Sequence, residues 1–171
     1  SEEERGWLTG TLARENAAKQ ATAQHSIWKG LFDKRVLALS LVYFGTSAGL
    51  YTLGIWSPQI IKNLGVSSMT VGLLNAIPAV LAVCAMVLWA RHSDKTGERS
   101  WHVIGACLLA AVGLFMAGSA VSLLGVILAL TLVNCGISAS KPPLWSMPTL
   151  FLSGGAAAAG IATINSLGNL G

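Results

Sequence analysis

The chain has 171 residues, of which 53% are hydrophobic and 11% charged, with nineteen glycines and a formal charge of +4. A soluble domain spreads charge over its whole surface, whereas a membrane protein confines it to the short segments that meet water. The basic residues flank apolar runs and form no single stripe, which argues against nucleic acid as a partner. Cys84, Cys107 and Cys135 lie inside apolar runs with neither a disulfide framework nor metal-ligand spacing, so they read as small hydrophobes.

The charge is confined. Arg91, Asp94, Lys95, Glu98 and Arg99 share one loop, and apart from Lys62 and Lys141 the remaining charges precede Val36. The chain begins without Met or a signal-peptide pattern and stops inside the apolar run 155–171, so it is expected to be an internal piece of a longer protein.

In chain order, residues 2–23 are polar, with Trp7, Leu8 and Leu12 at apolar positions and Glu2–Glu4 where a helix dipole favours acids. They are expected to form a short surface helix. Residues 24–35, with Trp28, Leu31 and Phe32 beside Lys29, Lys34 and Arg35, read as an interfacial lead-in. Together 1–35 form one region outside the membrane, and 36–171 form a bundle of membrane helices. Val36 to Ile61 is the first span, uncharged and longer than the ~20 residues that cross a ~30 Å hydrocarbon core. Trp56-Ser57-Pro58 near its end fits an aromatic belt and a helix stop.

Val66 to Ala90 is the second span, starting at Ser67-Ser-Met-Thr70 and carrying Pro78 as a kink position. Trp101 to about Gly118 is the third. Ser122 to about Leu152 holds the fourth, interrupted at Lys141-Pro142-Pro143, and residue 155 onward begins a fifth. Short linkers make neighbouring helices antiparallel. The fold class is therefore all-α, a polytopic transmembrane helix bundle. Lysine and arginine gather before Val36 and around Asp94, which puts the N-terminal segment and that loop in the cytoplasm by the positive-inside rule.

Lys141 is the one charge that can lie at membrane depth. If its helix runs on to Leu152, Lys141 sits within the span as an anion-binding group facing a cavity; if the helix stops at the proline pair, it is a snorkelling anchor. Trp145 follows at i+4 and can share its face, presenting an indole N–H to a carboxylated ligand or simply packing. Tyr43, Ser47 and Tyr51 repeat at i, i+4, i+8 as a candidate cavity lining, with tyrosine packing as the alternative. Asn165 and Asn169 also repeat at i+4. Asn75 and Asn134 read as interhelical hydrogen bonders, and Ala156, Gly160 and Gly168 as a small-residue ridge for close helix approach. His92 and His102 flank the charged loop and are not read as proton carriers. No nucleophile, metal or phosphate-cradling motif appears, so neither an enzyme nor a cofactor is expected.

Ala90-Arg-His-Ser-Asp94-Lys95-Thr-Gly97-Glu98-Arg99 resembles the signature loop of the major facilitator superfamily, Gly-x-x-x-Asp-Arg-x-Gly-Arg-Arg/Lys. Asp94, Lys95, Gly97 and Arg99 match; Ala90 and Glu98 depart. Tyr43-Phe-Gly45, Gly54-Ile-Trp56-Ser-Pro58, Gly72-Leu-Leu-Asn-Ala-Ile-Pro78, Lys141-Pro-Pro-Leu-Trp145 and Ile164-Asn-Ser-Leu-Gly-Asn-Leu-Gly171 are similar to helices seven, eight, ten and eleven of its anion:cation symporters, notably tartrate- and phthalate-type permeases.

The resemblance implies half of a twelve-helix fold, helices seven to eleven with the last truncated. It also implies a bacterial inner-membrane location and a missing N-terminal bundle as essential partner. The implied function is import of a small organic anion by alternating access with H⁺. Substrate contact would fall to Lys141, Trp145, Asn165 and the Tyr43–Ser47–Tyr51 stripe. Asp94, Lys95, Gly97 and Arg99 would form a conformational latch. No Asp or Glu lies within the spans, so proton-carrying carboxylates would belong to the missing half. The competing reading is a transport-inactive sensor or scaffold of the same fold.

Overall fold

Helix ends in this chain are set by short polar side chains and by glycines in the left-handed region. The computed structural model describes residues 6, 7, 9–12, 14 and 27–171. Residues 6, 7, 9–12 and 14 are helical, and the rest of the surface helix expected over 2–23, Glu2–Glu4 included, lies outside the described residues. Seven helices follow: α1 (Ile27–Phe32), α2 (Lys34–Lys62), α3 (Ser68–Thr96), α4 (Ser100–Ser119), α5 (Leu123–Ser146), α6 (Pro148–Phe151) and α7 (Gly154–Gly168). Asp33 caps α2 by accepting from the Arg35 N–H at 2.7 Å. Ser67 caps α3 and Ser122 caps α5, each accepting a backbone N–H three residues on at 3.2 Å. Gly65, Gly97 and Gly154 take positive φ at the turns, where a side chain would strain the backbone.

Among the described residues, four helices are long and apolar enough to cross a membrane: α2, α3, α4 and the α5–α6 run Leu123–Phe151. Residues 154–168 form a helix of 15 residues, about 22 Å at ~1.5 Å per residue, shorter than a hydrocarbon core. Two expectations about proline are corrected. The helix stop expected at Trp56-Ser57-Pro58 is not taken, because Pro58 lies inside α2, which runs on to Lys62. The fourth span is not interrupted at Pro142-Pro143; it runs through to Ser146 and breaks one step later, at Met147. Pro148 has no N–H to give to the Leu144 carbonyl, so the Met147 N–H bonds it instead at 3.2 Å and a new turn starts.

The helices do not simply pair with their chain neighbours. α3 and α4 part at the charged loop, and each packs along α5 instead. Half of the most apolar stretch of α5–α6 is buried in the bundle, against 17% for α3 and 28% for α2 and α4. α5 is thus the axle. It feeds a layer at each end of the bundle and one in the middle. Leu144 meets Val36, Leu39, Val103, Leu152, Ala156 and Ile164 at the charged-loop end. Val133 and Ile137 meet Ala110 in the middle, and Val126, Ile127 and Leu130 meet Ile61 and Val71 at the far end. The outer faces stay apolar and uncovered (Leu73, Leu88, Leu108 and Phe115 are all exposed), as lipid-facing surfaces should be.

Lipid tails are as apolar as leucine, so helices in a membrane gain from close packing of small residues more than from burying oil. α4 and α5 show this. A Cβ on Gly136 would lie 2.5 Å from the Ala106 carbonyl oxygen and from the Ala110 nitrogen, and one on Gly113 would lie 2.7 Å from the Val133 nitrogen. The expected ridge on α7 is also used: Ala156, Gly160 and Gly168 are buried, and Gly168 lies under the Tyr43 ring. α1 docks on α7 through buried Gly30 against Ala156, while Trp28 and Phe32 stay exposed and stacked at 6.2 Å. Gly136→Val should therefore lower the thermal unfolding midpoint of the full-length protein in detergent, with a cost of about 1–3 kcal/mol or more from overpacking. Gly72→Ala, where a Cβ meets nothing within 4 Å, should leave the midpoint unchanged or slightly raised.

Candidate functional site

Three helices bring part of the predicted constellation together. α2 supplies Tyr43, α5 supplies Trp145, and α7 supplies the flat surface of Gly168. The Tyr43 and Trp145 rings meet edge to face with centroids 4.9 Å apart. Both rings are half-buried, packed on the layer that contains Leu144 and Ile164. Lys141 sits one turn before Trp145 in α5, inside the continuous helix, about 27 Å from its start at Leu123. It is half-buried, and its ammonium has no carboxylate partner among the described residues. The double proline does not end the helix, which continues past Lys141 to Ser146.

The other predicted residues separate. Ser47 is buried, one turn on from Tyr43, and Tyr51 is 57% exposed, so burial varies along the Tyr43–Ser47–Tyr51 stripe. Asn165 is exposed on α7, three residues before Gly168. Its Oδ1 accepts from Asn169 Nδ2 at 2.9 Å, and Asn169 also donates to the Asn165 carbonyl. The two amides therefore bond within one helix, which leaves the Asn165 Nδ2 without a partner among the described residues.

The charged loop is a folded unit. Gly97 ends α3 at φ 70° and its N–H bonds the Ser93 carbonyl at 3.0 Å. That turn brings Arg99 back onto α3. Its Nη1 lies 2.6 Å from Asp94 Oδ1 and donates to Ser93 Oγ at 2.9 Å. Ser93 is fully buried and passes its own proton to the Glu98 carbonyl at 2.9 Å. Asp94 thus pairs with Arg99 inside the loop, not with backbone N–H groups of a neighbouring helix end. Its side chain is 69% exposed, and Lys95 is also exposed in the last turn of α3.

Two groupings were not apparent in the sequence. His92 Nδ1 and His102 Nε2 lie 2.7 Å apart, and Trp89 Nε1 donates to the His102 carbonyl at 2.9 Å, which joins α3 and α4 just inside the loop. His102 Nδ1 is buried with no partner. The second grouping is a cavity of about 110 Å³ between α2, α3 and α5, lined by Leu50, Leu53, Gly54, Ser57, Asn75, Ala79 and Asn134. The Ser57 hydroxyl donates to Asn75 Oδ1 across it. Only the polarity of three residues in apolar runs could have pointed to it. A larger, apolar groove of about 270 Å³ runs along α2, α4 and α5 between Gly45, Gly49, Cys107 and Ile137. No group of three metal-binding side chains occurs among the described residues.

A protein of Agrobacterium vitis named "Putative tartrate transporter" is 72% identical over the whole chain, and a second of the same name and organism is 68% identical. The "Inner membrane transport protein RhmT" of Escherichia coli is 37% identical over the whole chain. The chain covers 39%, 38% and 39% of these relatives' own lengths. No solved structure matches it. The pattern of the Major Facilitator Superfamily matches residues 3–171, nearly the entire chain. With its helical bundle, its four membrane-crossing helices and its signature loop, the chain belongs to the Major Facilitator Superfamily, a family of multi-pass membrane transporters and not of enzymes.

Proposed function

We propose that the whole protein imports a small organic anion, tartrate or a close hydroxycarboxylate, across the bacterial inner membrane by alternating access and in symport with H⁺. Lys141 is the observation that carries this reading. A half-buried cation in an apolar helix, with no carboxylate partner among the described residues, costs free energy that an arriving anion would offset. The Trp145 and Tyr43 rings beside its face supply an apolar wall with polar tips, suited to a carboxylate on a short carbon chain. Asn165, with an open amide N–H, Ser47 and Tyr51 complete the proposed contact set from α7 and α2. The relatives' names support the substrate class and the location. The N-terminal bundle of the same polypeptide would close the other wall and hold the proton-carrying carboxylates. The signature loop and the N-terminal segment would face the cytoplasm.

Asp94, Lys95, Gly97 and Arg99 act on conformation in this scheme and do not touch the substrate. An exposed Asp94–Arg99 pair is worth little by itself, about 0–1 kcal/mol. A weak pair of this kind can trade partners between inward- and outward-open states at small cost.

The test is uptake of labelled tartrate by cells making the full-length protein, with surface expression measured in parallel. Lys141→Ala should raise KM by about 10- to 100-fold, the value of a charge-assisted hydrogen bond at ~1.5–3 kcal/mol, and Lys141→Arg should restore part of it. Unchanged uptake by Lys141→Ala would demote Lys141 to a structural anchor. A second expectation concerns the loop: Asp94→Asn should slow maximal uptake severalfold with KM held. A rise in KM alone would place Asp94 in the binding site and refute the latch role.

A further inference from the structure

The cavity bounded by Ser57, Asn75 and Asn134 has no part in the scheme so far. It is walled by Leu50, Leu53, Gly54 and Ala79, and its only polar side chains are those three. Asn75 Oδ1 takes the Ser57 proton in a bond between α2 and α3, as expected of an interhelical bonder, whereas Asn134 Nδ2 folds back onto its own helix at the Leu130 carbonyl, 2.9 Å away. Asn75 Nδ2 and Asn134 Oδ1 are left with no partner among the described residues. Neither atom is sealed off; both residues are half-buried and border the cavity. One donor and one acceptor thus open onto a space of about 110 Å³, room for several waters.

A hydroxyl both donates and accepts, so it satisfies both groups at once. A carboxylate only accepts, and would set its charge against Asn134 Oδ1 in a pocket with no cation. The pocket therefore suits the hydroxyl of a ligand better than its carboxylate. Its place on α5 says where the carboxylate would go. Asn134, Lys141 and Trp145 are spaced i, i+7, i+11, which at ~3.6 residues per turn puts all three on one face. Lys141 lies about 10 Å along that face from Asn134, and helix geometry tilts its side chain back toward the helix start, in the direction of Asn134.

We infer that the Ser57–Asn75–Asn134 pocket reads the hydroxyl group of the transported anion while Lys141 holds its carboxylate. The pocket would then set preference for hydroxy acids over their deoxy counterparts. This rests on the transporter reading above. Sites built to hydrogen-bond a hydroxyl discriminate strongly against analogues that lack it, because the unpaired polar groups are then buried.

The test uses the full-length protein in cells, with labelled tartrate and labelled succinate, which lacks both of tartrate's hydroxyls, as separate substrates. Wild type should favour tartrate. Asn75→Leu and Asn134→Leu, close to isosteric, should each lower kcat/KM for tartrate by about tenfold and leave succinate within about twofold, erasing the preference. Asn75→Ser, which can still donate, should retain part of it and guards against a folding defect, as does surface expression. Parallel loss of both acids, or no change in either, overturns the inference and leaves the transporter reading standing. So does a wild type that takes up both acids equally. Uptake of neither acid by well-expressed wild type overturns the organic-anion reading, and this inference with it.

Discussion

A helix that packs against three others cannot be built like its neighbours, and the rest of this bundle follows from α5 being that helix. α2, α3 and α4 each turn one face to lipid and can afford large apolar side chains there. α5 has no such outlet along most of its length, so its contacts alternate between bulky residues (Val126, Leu130, Val133, Leu144) and small ones (Ala129, Gly136, Ala139, Ser140). The small positions let α4 approach until backbone nearly touches backbone at Gly136 and Gly113. Close approach replaces the hydrophobic drive that a bilayer does not supply. The same central position explains why the polar residues of interest, Asn134, Lys141 and Trp145, all ride on α5. Only a helix surrounded by others can shield them from hydrocarbon.

The signature loop follows a different logic, because its ends face water. Its rigidity comes from the turn and from Ser93, not from its ion pair. Gly97 reverses the chain in one step, and buried Ser93 ties the Arg99 guanidinium and the Glu98 carbonyl to the end of α3. Asp94 is the mobile partner in electrostatic terms, mostly solvated and held at one oxygen. The His92–His102 contact and the Trp89 bond clamp the two helices immediately inside the loop, where they would otherwise diverge around α5. The loop is thus a hydrogen-bonded corner with the Asp94 carboxylate on its exposed surface.

Much of this was legible in the sequence for a simple reason: charge in a membrane protein has few places to go. Four long spans, the Ser67 cap and the Gly97 turn all followed from where charge, serine and glycine interrupt apolar runs. Lys141 was ambiguous because a proline pair can stop a helix or merely remove two of its hydrogen bonds. α5 takes the second course, since Pro148 provides the actual break. Along the Tyr43–Ser47–Tyr51 stripe burial changes, because a spacing of four residues drifts about 40° at each step on a helix of ~3.6 residues per turn, so Ser47 is buried and Tyr51 exposed. The Ser57–Asn75–Asn134 pocket left no local pattern at all. Its members lie on three helices, and their meeting depends on α2 and α3 both leaning on α5.

The distribution of polarity along α5 also bears on how such a bundle can bind an anion without being destabilised while empty. A fixed acid beside Lys141 would neutralise it permanently and remove its use for a ligand. A second buried cation would raise the desolvation cost by several kcal/mol. What is found is one unpartnered charge near the end of the span that adjoins the loop, and neutral amides and a hydroxyl farther in. Neutral hydrogen-bonding groups can be left to water in an empty cavity at modest cost, and they regain their bonds from a hydroxyl when a ligand arrives. A cation close to the water-facing end can keep part of its hydration until then. On the proposed reading, charge near the loop end and neutral polarity farther in would keep the resting bundle stable while leaving free energy for binding.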